Sequence, residues 1–546
     1  MHKIRFKERL LILNSKLPLI TDYLKINSEK YGSKEALVEL DPVADTRKTL
    51  SWLEFDSLSS RVSASLEKKG LKKGDCVVQL MMNSLEWLPV YFGILNTGAL
   101  ATPLNFRFES ETILSCISLV EGKAVIFDET FIERVGKIYN ALEKCVSFYI
   151  FTGPRELMPS YCEHFEDFIL EASPDEFHPS DISPMDAAAL YFTSGTTGNP
   201  KAVLLTHDNL SFACHVEATH HGQKHEDVFL CIPPLYHTGA KMHWFGSLKV
   251  GGKGVLLKGV KPQYIIDAVA SERASIVWIL VPWAHDIIVG IENGEINLDS
   301  CDLSSWRLMH MGAQPVPESL IRKWEKIFPD HEYDTNYGLT EASGPGCVHL
   351  GMENIHKIGS IGIPGEGWEV RIVDRNMNTV PFGEPGELVV KGRGVMKAYY
   401  KNPSATADTL KGDWLKTGDV ARIDDDGFIW LLDRKKDVII TGGENIFPAE
   451  IEDFILSNPK VHDVGVIGTP DKRLGELVTA VIQPKTGYDI SEEDILEFCK
   501  SLPRYKRPRI VHFDYVPRNP TGKIEKPKLR KKFTGIYSSF KRDFSI

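Results

Sequence analysis

The 546-residue chain has no CxxC pair, and its nine cysteines, an odd number, are scattered from Cys76 to Cys499. Neither a disulfide framework nor a cysteine-based zinc site is therefore expected, and a reducing, cytoplasmic setting is. No long basic block occurs, and 64 basic against 74 acidic residues leave a net charge of −10, which argues against nucleic acid as a partner. No secretory leader is read at the N-terminus, where the apolar patch LLIL is short and lies among charges. The longest uncharged stretch, residues 87–106, is interrupted by Pro89, Asn96, Gly98 and Pro103, so it reads as helix, turn and strand rather than a transmembrane segment. Internal repeats and long low-complexity segments are also missing. The trio His220, His221 and His225 has no carboxylate or cysteine at evident metal-site spacing, and a solvated histidine patch is expected there.

What is present is ordinary in bulk and specific in detail. Apolar content of 42% and charged content of 25% are those of a globular protein, and the length suggests roughly three or four folding units. Up to about residue 430, helical and strand-like segments alternate. Residues 53–69 have helical spacing, 76–82 read as a strand, 84–97 as a helix, and 99–104 and 123–128 as strands. This rhythm predicts an α/β fold with βα-layered, largely parallel sheets. Between 359 and 393 short strands separated by turns such as PFGEPGE predict a small β subdomain. Beyond residue 437 the order βαββαβ predicts a compact α+β unit, with helices opening at Pro448 and at the capping box SEED starting at Ser491. Asp433-Arg434-Lys435-Lys436 precedes it as a charged tetrapeptide suited to an exposed hinge. The expected domains are thus 1–432, a hinge at 433–436, and 437–546. The basic run 523–532 reads as a solvated face.

One segment stands out. Residues 191–203 read YFTSGTTGNPKAV, with Thr193, Ser194, Thr196 and Thr197 around Gly195 and Gly198, then Lys201. Small hydroxyl residues and glycines let backbone N–H groups converge on an anion, and the lysine adds a point charge. The flanking runs ALYF and AVLL predict two strands with this loop as their tip. It is not the nucleotide loop of the common NTPases, because Lys201 is followed by Ala202 and a strand rather than by Ser or Thr and a helix.

Four further segments follow in order: YGLTEA at 337–342, TGD at 417–419, DRKKD with TGGENIFPAEIE, and PTGKIEKPKLR. Together with the loop they resemble the adenylate-forming superfamily of acyl-CoA synthetases, adenylation domains and beetle luciferases, over about residues 25–533. The resemblance implies that a carboxylic acid and ATP form an acyl-adenylate and pyrophosphate, after which the acyl group passes to a thiol. A large N-terminal domain and a smaller mobile C-terminal domain are implied with it. Thr193–Lys201 would hold the β- and γ-phosphates, Thr340 the α-phosphate, and Glu341 Mg²⁺. Tyr337, with the adjoining Gly338, would lie against adenine, opposite Gly312, Ala313 and Gln314, with Asn336 at the base edge. Asp419 and Arg434 would reach the ribose, and Lys523 the α-phosphate and the attacking carboxylate.

For the second step the resemblance implies a swing of the C-terminal domain about Lys436. Gly442, Gly443 and Glu444 would then line the channel for the pantetheine arm of CoA, and Arg504, Lys506 and Arg507 could meet its phosphates. His237, in PPLYHTGA, falls where the family's aromatic gate to the carboxylate site stands. Trp283 replaces a small residue and would shorten an acyl tunnel if its indole points inward; it could equally face the core. The leading expectation is an AMP-forming acyl-CoA ligase for a medium-chain, alicyclic or aromatic acid. A carrier-protein-loading ligase, a luciferase-like oxygenase and a nucleotide-binding regulator stay open, as does an oligomeric state.

Overall fold

The computed structural model describes residues 16–177, 181–193, 200–299, 301–312, 316–349, 351–442, 444–518 and 523–534. Two large sheets carry the first three quarters of the chain. One has seven strands in the order Glu332–Asp334, Leu308–Gly312, Ile276–Leu280, Val228–Cys231, Lys253–Leu257, Glu35–Asp41 and Thr46–Ser51. All neighbours are parallel except the last pair, which is an antiparallel hairpin. The other has eight strands and is parallel from Ala187–Thr193 outward through Leu100–Pro103 and Cys76–Leu80. Strands such as CVVQL and IVWIL are buried along their whole length, as parallel strands covered on both faces must be. Helices Trp52–Lys68, Trp87–Asn96, His207–His220 and Thr238–Val250 contribute to one continuous apolar core with residues from both sheets.

The expected hairpin at the nucleotide loop is present. Ala187–Thr193 pairs antiparallel with Lys201–Thr206, and Thr193 stands opposite Lys201. Ser194, Gly195, Thr196, Thr197 and Gly198 lie outside the described residues, as do Ala313, Gln314 and Gly443. The predicted β subdomain is a five-stranded sheet built from Glu369–Val373, Gly386–Lys391, Leu410–Lys411, Trp414–Ile423 and Ile429–Arg434.

The C-terminal unit has its own sheet and its own core, in which Ile439, Ile451, Val466, Val478 and Ile495 are buried. Ser491 caps its helix through the expected box, with Asp494 as the reciprocal partner. The strand Glu444–Ile446, which turns Ile439–Thr441 into a hairpin, was not anticipated. Neither was helix Lys526–Thr534. That helix corrects the reading of 523–532 as a solvated face: Lys526 and Arg530 are buried, Lys526 lies 3.0 Å from Glu452, and Arg530 lies 2.7 Å from Asp437. The tetrapeptide at 433–436 is likewise not a plain exposed turn. Asp433 and Arg434 end the strand Ile429–Arg434, the Asp433 carboxylate accepts from the Ala449 amide at 2.9 Å, and Lys436 is exposed.

Candidate active site

The base of the first loop, YGLTEA, the TGD aspartate with Arg434, and the PTGK lysine come together at one cleft. Asn336–Leu339 and Gly344–Val348 form a tight antiparallel pair joined by the short helical turn Thr340–Ala342. Gly338 must be glycine for this closeness, since a Cβ there would stand 2.6 Å from the Gly344 carbonyl oxygen. Ser343 closes the turn in the left-handed region at φ 57° and is held there by a hydrogen bond from its hydroxyl to the Gly394 carbonyl, 2.7 Å. The turn thereby presents Thr340 and Glu341. The Thr340 hydroxyl lies 3.1 Å from that of Thr238, and the Tyr399 hydroxyl donates to Glu341 at 2.8 Å. Lys201 sits over the ring of the same tyrosine, 4.9 Å from its centroid, so the base of the nucleotide loop and the Glu341 carboxylate share one neighbour.

Tyr337 is buried and donates to Asp419 at 2.5 Å. Burial and the Asp419 charge hold its phenol well above the usual range. Asp419 takes Arg434 on its other oxygen at 2.6 Å, the two residues being register partners on adjacent strands. The Asp419 charge in turn holds the Arg434 guanidinium above its ordinary value. Asn336 donates its side-chain amide toward Glu217 at 3.4 Å, into the protein interior. Gly312 ends a strand beneath Trp278, where a Cβ would be 3.3 Å from the indole nitrogen.

Lys523 reaches this cleft from the C-terminal unit. It is exposed to water; desolvation by the protein beside it and the charge of Arg434 push its ammonium down to about 8, opposed by Asp419 and Glu341. His237 caps the helix Thr238–Val250 by accepting from the Gly239 amide at 3.1 Å. Burial and the nearby Lys523 push its imidazole down to about 4, so it is neutral at pH 7. Lys523, His237, Glu341, Asp419 and Arg434 thus come from distant segments into one electrostatic neighbourhood.

The second-step residues are not gathered there. Gly442 (φ 59°) and Glu444 lie on the C-terminal hairpin, Gly442 donating to the Leu474 carbonyl at 2.8 Å. Lys506 is paired with Glu450 at 2.6 Å and Arg507 donates to the Leu502 carbonyl at 2.8 Å, so of the three basic residues expected to face CoA only Arg504 is exposed. Trp283 is half-buried and packs against both apolar clusters that flank its helix. Sequence reading missed Tyr399 and Thr238. Thr238 directly follows His237 and could have been weighed; Tyr399, in KAYYK, carries no signal beyond its aromatic ring.

The solvated-histidine expectation is overturned. The His220 and His221 side chains are buried, Glu217 precedes them at helical spacing, and His243 and His310 join them. His225 stands elsewhere, stacked on Tyr31 with ring centroids 3.7 Å apart.

Family models agree with this geometry. The AMP-binding enzyme model matches residues 24–400, and the AMP-binding enzyme C-terminal domain model matches residues 450–523. The chain belongs to the adenylate-forming AMP-binding enzymes. A feruloyl-CoA synthase from Amycolatopsis sp is 33% identical over 89% of this chain and 94% of its own length. A long-chain-fatty-acid–CoA ligase, FadD13, from Mycobacterium tuberculosis is 31% identical over 91% of this chain and 95% of its own length. Among solved structures, ATP-bound MatB from Rhodopseudomonas palustris superimposes with a TM-score of 0.84 at 27% identity, covering 95% of this chain and all of that one. Among the described residues no helix of this AMP-binding enzyme is long and apolar enough to cross a membrane.

Proposed function

We propose that this AMP-binding enzyme is an AMP-forming acyl-CoA ligase that uses ATP and CoA on a medium-chain, alicyclic or aromatic carboxylic acid. The observation that supports it best is the placement of Lys523, from the C-terminal unit, among His237, Glu341, Asp419 and Arg434. A carboxylate cannot acylate a thiol directly because oxide would have to leave. Attack of one carboxylate oxygen on the α-phosphorus of ATP forms a mixed anhydride and expels pyrophosphate. This step brings two anions together, so fixed positive charge and N–H donors must meet them. Lys201 and the loop it closes would hold the β- and γ-phosphates. Thr340 would donate to the α-phosphate, and Lys523 would bridge it to the incoming carboxylate. Tyr337, against adenine, and Asp419 and Arg434, at the ribose, would fix the nucleoside.

Glu341 fits a magnesium ligand: it is a carboxylate at the cleft beside Thr340, and Mg²⁺ favours one or two carboxylates together with phosphate oxygens. The ion would supply charge neutralisation at the phosphates. Neutral His237 can border the carboxylate without adding a charge of its own.

In the second half-reaction a thiolate attacks the acyl carbonyl, a thioester forms and AMP leaves. The place Lys523 occupies must be vacated for that. We assign the N-terminal domain to 1–432, the hinge to 433–436 with Lys436 as its pivot, and the mobile domain to 437–546. After rotation Gly442, Gly443 and Glu444 would line the pantetheine path. Nine free thiols favour a cytoplasmic setting. The test is pyrophosphate exchange across acids from acetate to palmitate and an aromatic set, repeated with CoA while AMP release is measured. Exchange with no acid, or AMP release independent of CoA, would refute the assignment.

A further inference from the structure

Behind the cleft, touching it through the Asn336–Glu217 contact, lies a closed group of metal-ligating side chains. His221 follows helix His207–His220, His243 lies on helix Thr238–Val250, and His310 on strand Leu308–Gly312. One ligand atom from each can be chosen so that all lie within 4.8 Å of one another, and so can a second set of Glu217, His220 and His221. His221 Nε2 and His310 Nδ1 are 2.9 Å apart. Glu217 presents one oxygen 3.0 Å from His243 Nδ1 and the other 3.6 Å from His221 Nδ1. The side chains of Glu217, His221 and His243 expose at most 5% of their surface, and His310 is wholly buried.

The polar inventory of this pocket does not close on its own. Among the described residues, Glu217 Oε2, His221 Nδ1, His243 Nδ1 and His310 Nε2 are buried without an aligned hydrogen-bond partner. Buried polar atoms left without a partner are costly, and a cation held by the histidine nitrogens would offset part of that cost.

The geometry points to a buried site for a borderline-soft divalent cation of the zinc class, held by His221, His243, His310 and Glu217. The donor set is three imidazoles and a carboxylate, which suits zinc or cobalt and not the all-oxygen preference of Mg²⁺ or Ca²⁺. Zn–N bonds of about 2.0–2.1 Å place tetrahedral ligand atoms about 3.3 Å apart, so the three histidine nitrogens, all within 4.8 Å of one another, need to close by about 1.5 Å at most. Such an ion would pin two helices to the strand that ends at Gly312. One of those helices is the one whose N-cap is His237, so the ion would fix the gate of the carboxylate site from behind.

The test uses the full-length, tag-free protein, stripped with chelator and titrated with Co²⁺ alone. One Co²⁺ per chain, with the visible absorption of tetrahedral cobalt and displacement by one equivalent of Zn²⁺, is expected. His243→Gln and His310→Gln should each lose at least tenfold in affinity. His225→Gln, outside the cluster, should bind as the parent does. Binding below a tenth of an equivalent, or equal binding by the two cluster variants, would overturn the site. If those variants fail to fold, the zinc X-ray absorption of the parent protein decides: a shell dominated by histidine nitrogen supports the site, and oxygen alone rejects it.

Discussion

The phenol of Tyr337 donates to the carboxylate of Asp419 at 2.5 Å, joining two segments that lie 82 residues apart in sequence. With Arg434 on its other oxygen, Asp419 enters the cleft as a fixed acceptor. Ribose hydroxyls meeting it would form charge-assisted hydrogen bonds of about 1.5–3 kcal/mol each. Asp419→Asn should raise the KM for ATP roughly tenfold to a hundredfold. A KM within twofold of the parent enzyme, in steady-state kinetics, would remove Asp419 from the nucleotide site.

Lys523 carries a pH prediction with a definite sign. Its ammonium is pushed down to about 8, so the charged form that stabilises the α-phosphate prevails below that pH and is lost above it. The kcat/KM for ATP in pyrophosphate exchange, which reports free enzyme, should fall as pH rises through about 8. Lys523→Arg should remove that limb. Lys523→Ala should slow adenylation about 10²–10³-fold while sparing thioester formation from supplied acyl-adenylate. Equal loss in both half-reactions would show that the residue acts in neither way proposed.

Much of this cleft could be read from the chain because its parts are short, contiguous and made of unusual residue types. The glycine-and-hydroxyl loop, YGLTEA, TGD and PTGK announce themselves locally, and the alternating apolar runs foretold the parallel sheets. What escaped has a common cause. A histidine looks solvated until its partners are known, and His310 comes 89 residues after His221. Lys526 and Arg530 looked like surface charge because the acids that bury them, Glu452 and Asp437, come from the other end of the C-terminal unit. Tyr399 became a site residue only when strand pairing laid Ala398–Tyr399 beside Lys201–Thr206.

Lys526 should prove essential to the C-terminal unit. It sits between Glu452 and Asp433, both nearly enclosed, and removing it leaves buried carboxylates unpaired. Lys526→Met should cost about 3–5 kcal/mol. All ten tryptophans precede residue 437, so indole fluorescence would not see the loss. Hydrogen exchange of the helix Pro448–Leu456 should report it as faster exchange, and unchanged protection there would contradict the pairing.

Lys241 offers the opposite case. It is wholly buried, its amine has no hydrogen-bond partner among the described residues, and it lies 3.8 Å from the ring centroid of Tyr191 and 4.1 Å from that of Tyr91. Burial drives its pKa well below the ordinary lysine value. Lys241→Met, similar in volume, should stabilise the protein by about 1–3 kcal/mol. Calorimetry should show a higher Tm, and a lower one would mean that the amine has a partner in solution.

Trp283 bears on acid length. If the indole borders the acyl path, Trp283→Ala should raise turnover of palmitate relative to octanoate at least tenfold. An unchanged ratio would assign the residue to packing alone.

Tyr399 reaches two ways at once. Its backbone is paired to Val203 in the sheet edge, and its hydroxyl holds Glu341. The strand that carries Lys201, proposed to meet the phosphates, and the Glu341 carboxylate are therefore bolted to a common strut. Their separation is gauged before any nucleotide arrives, and a triphosphate has to match that span instead of creating it.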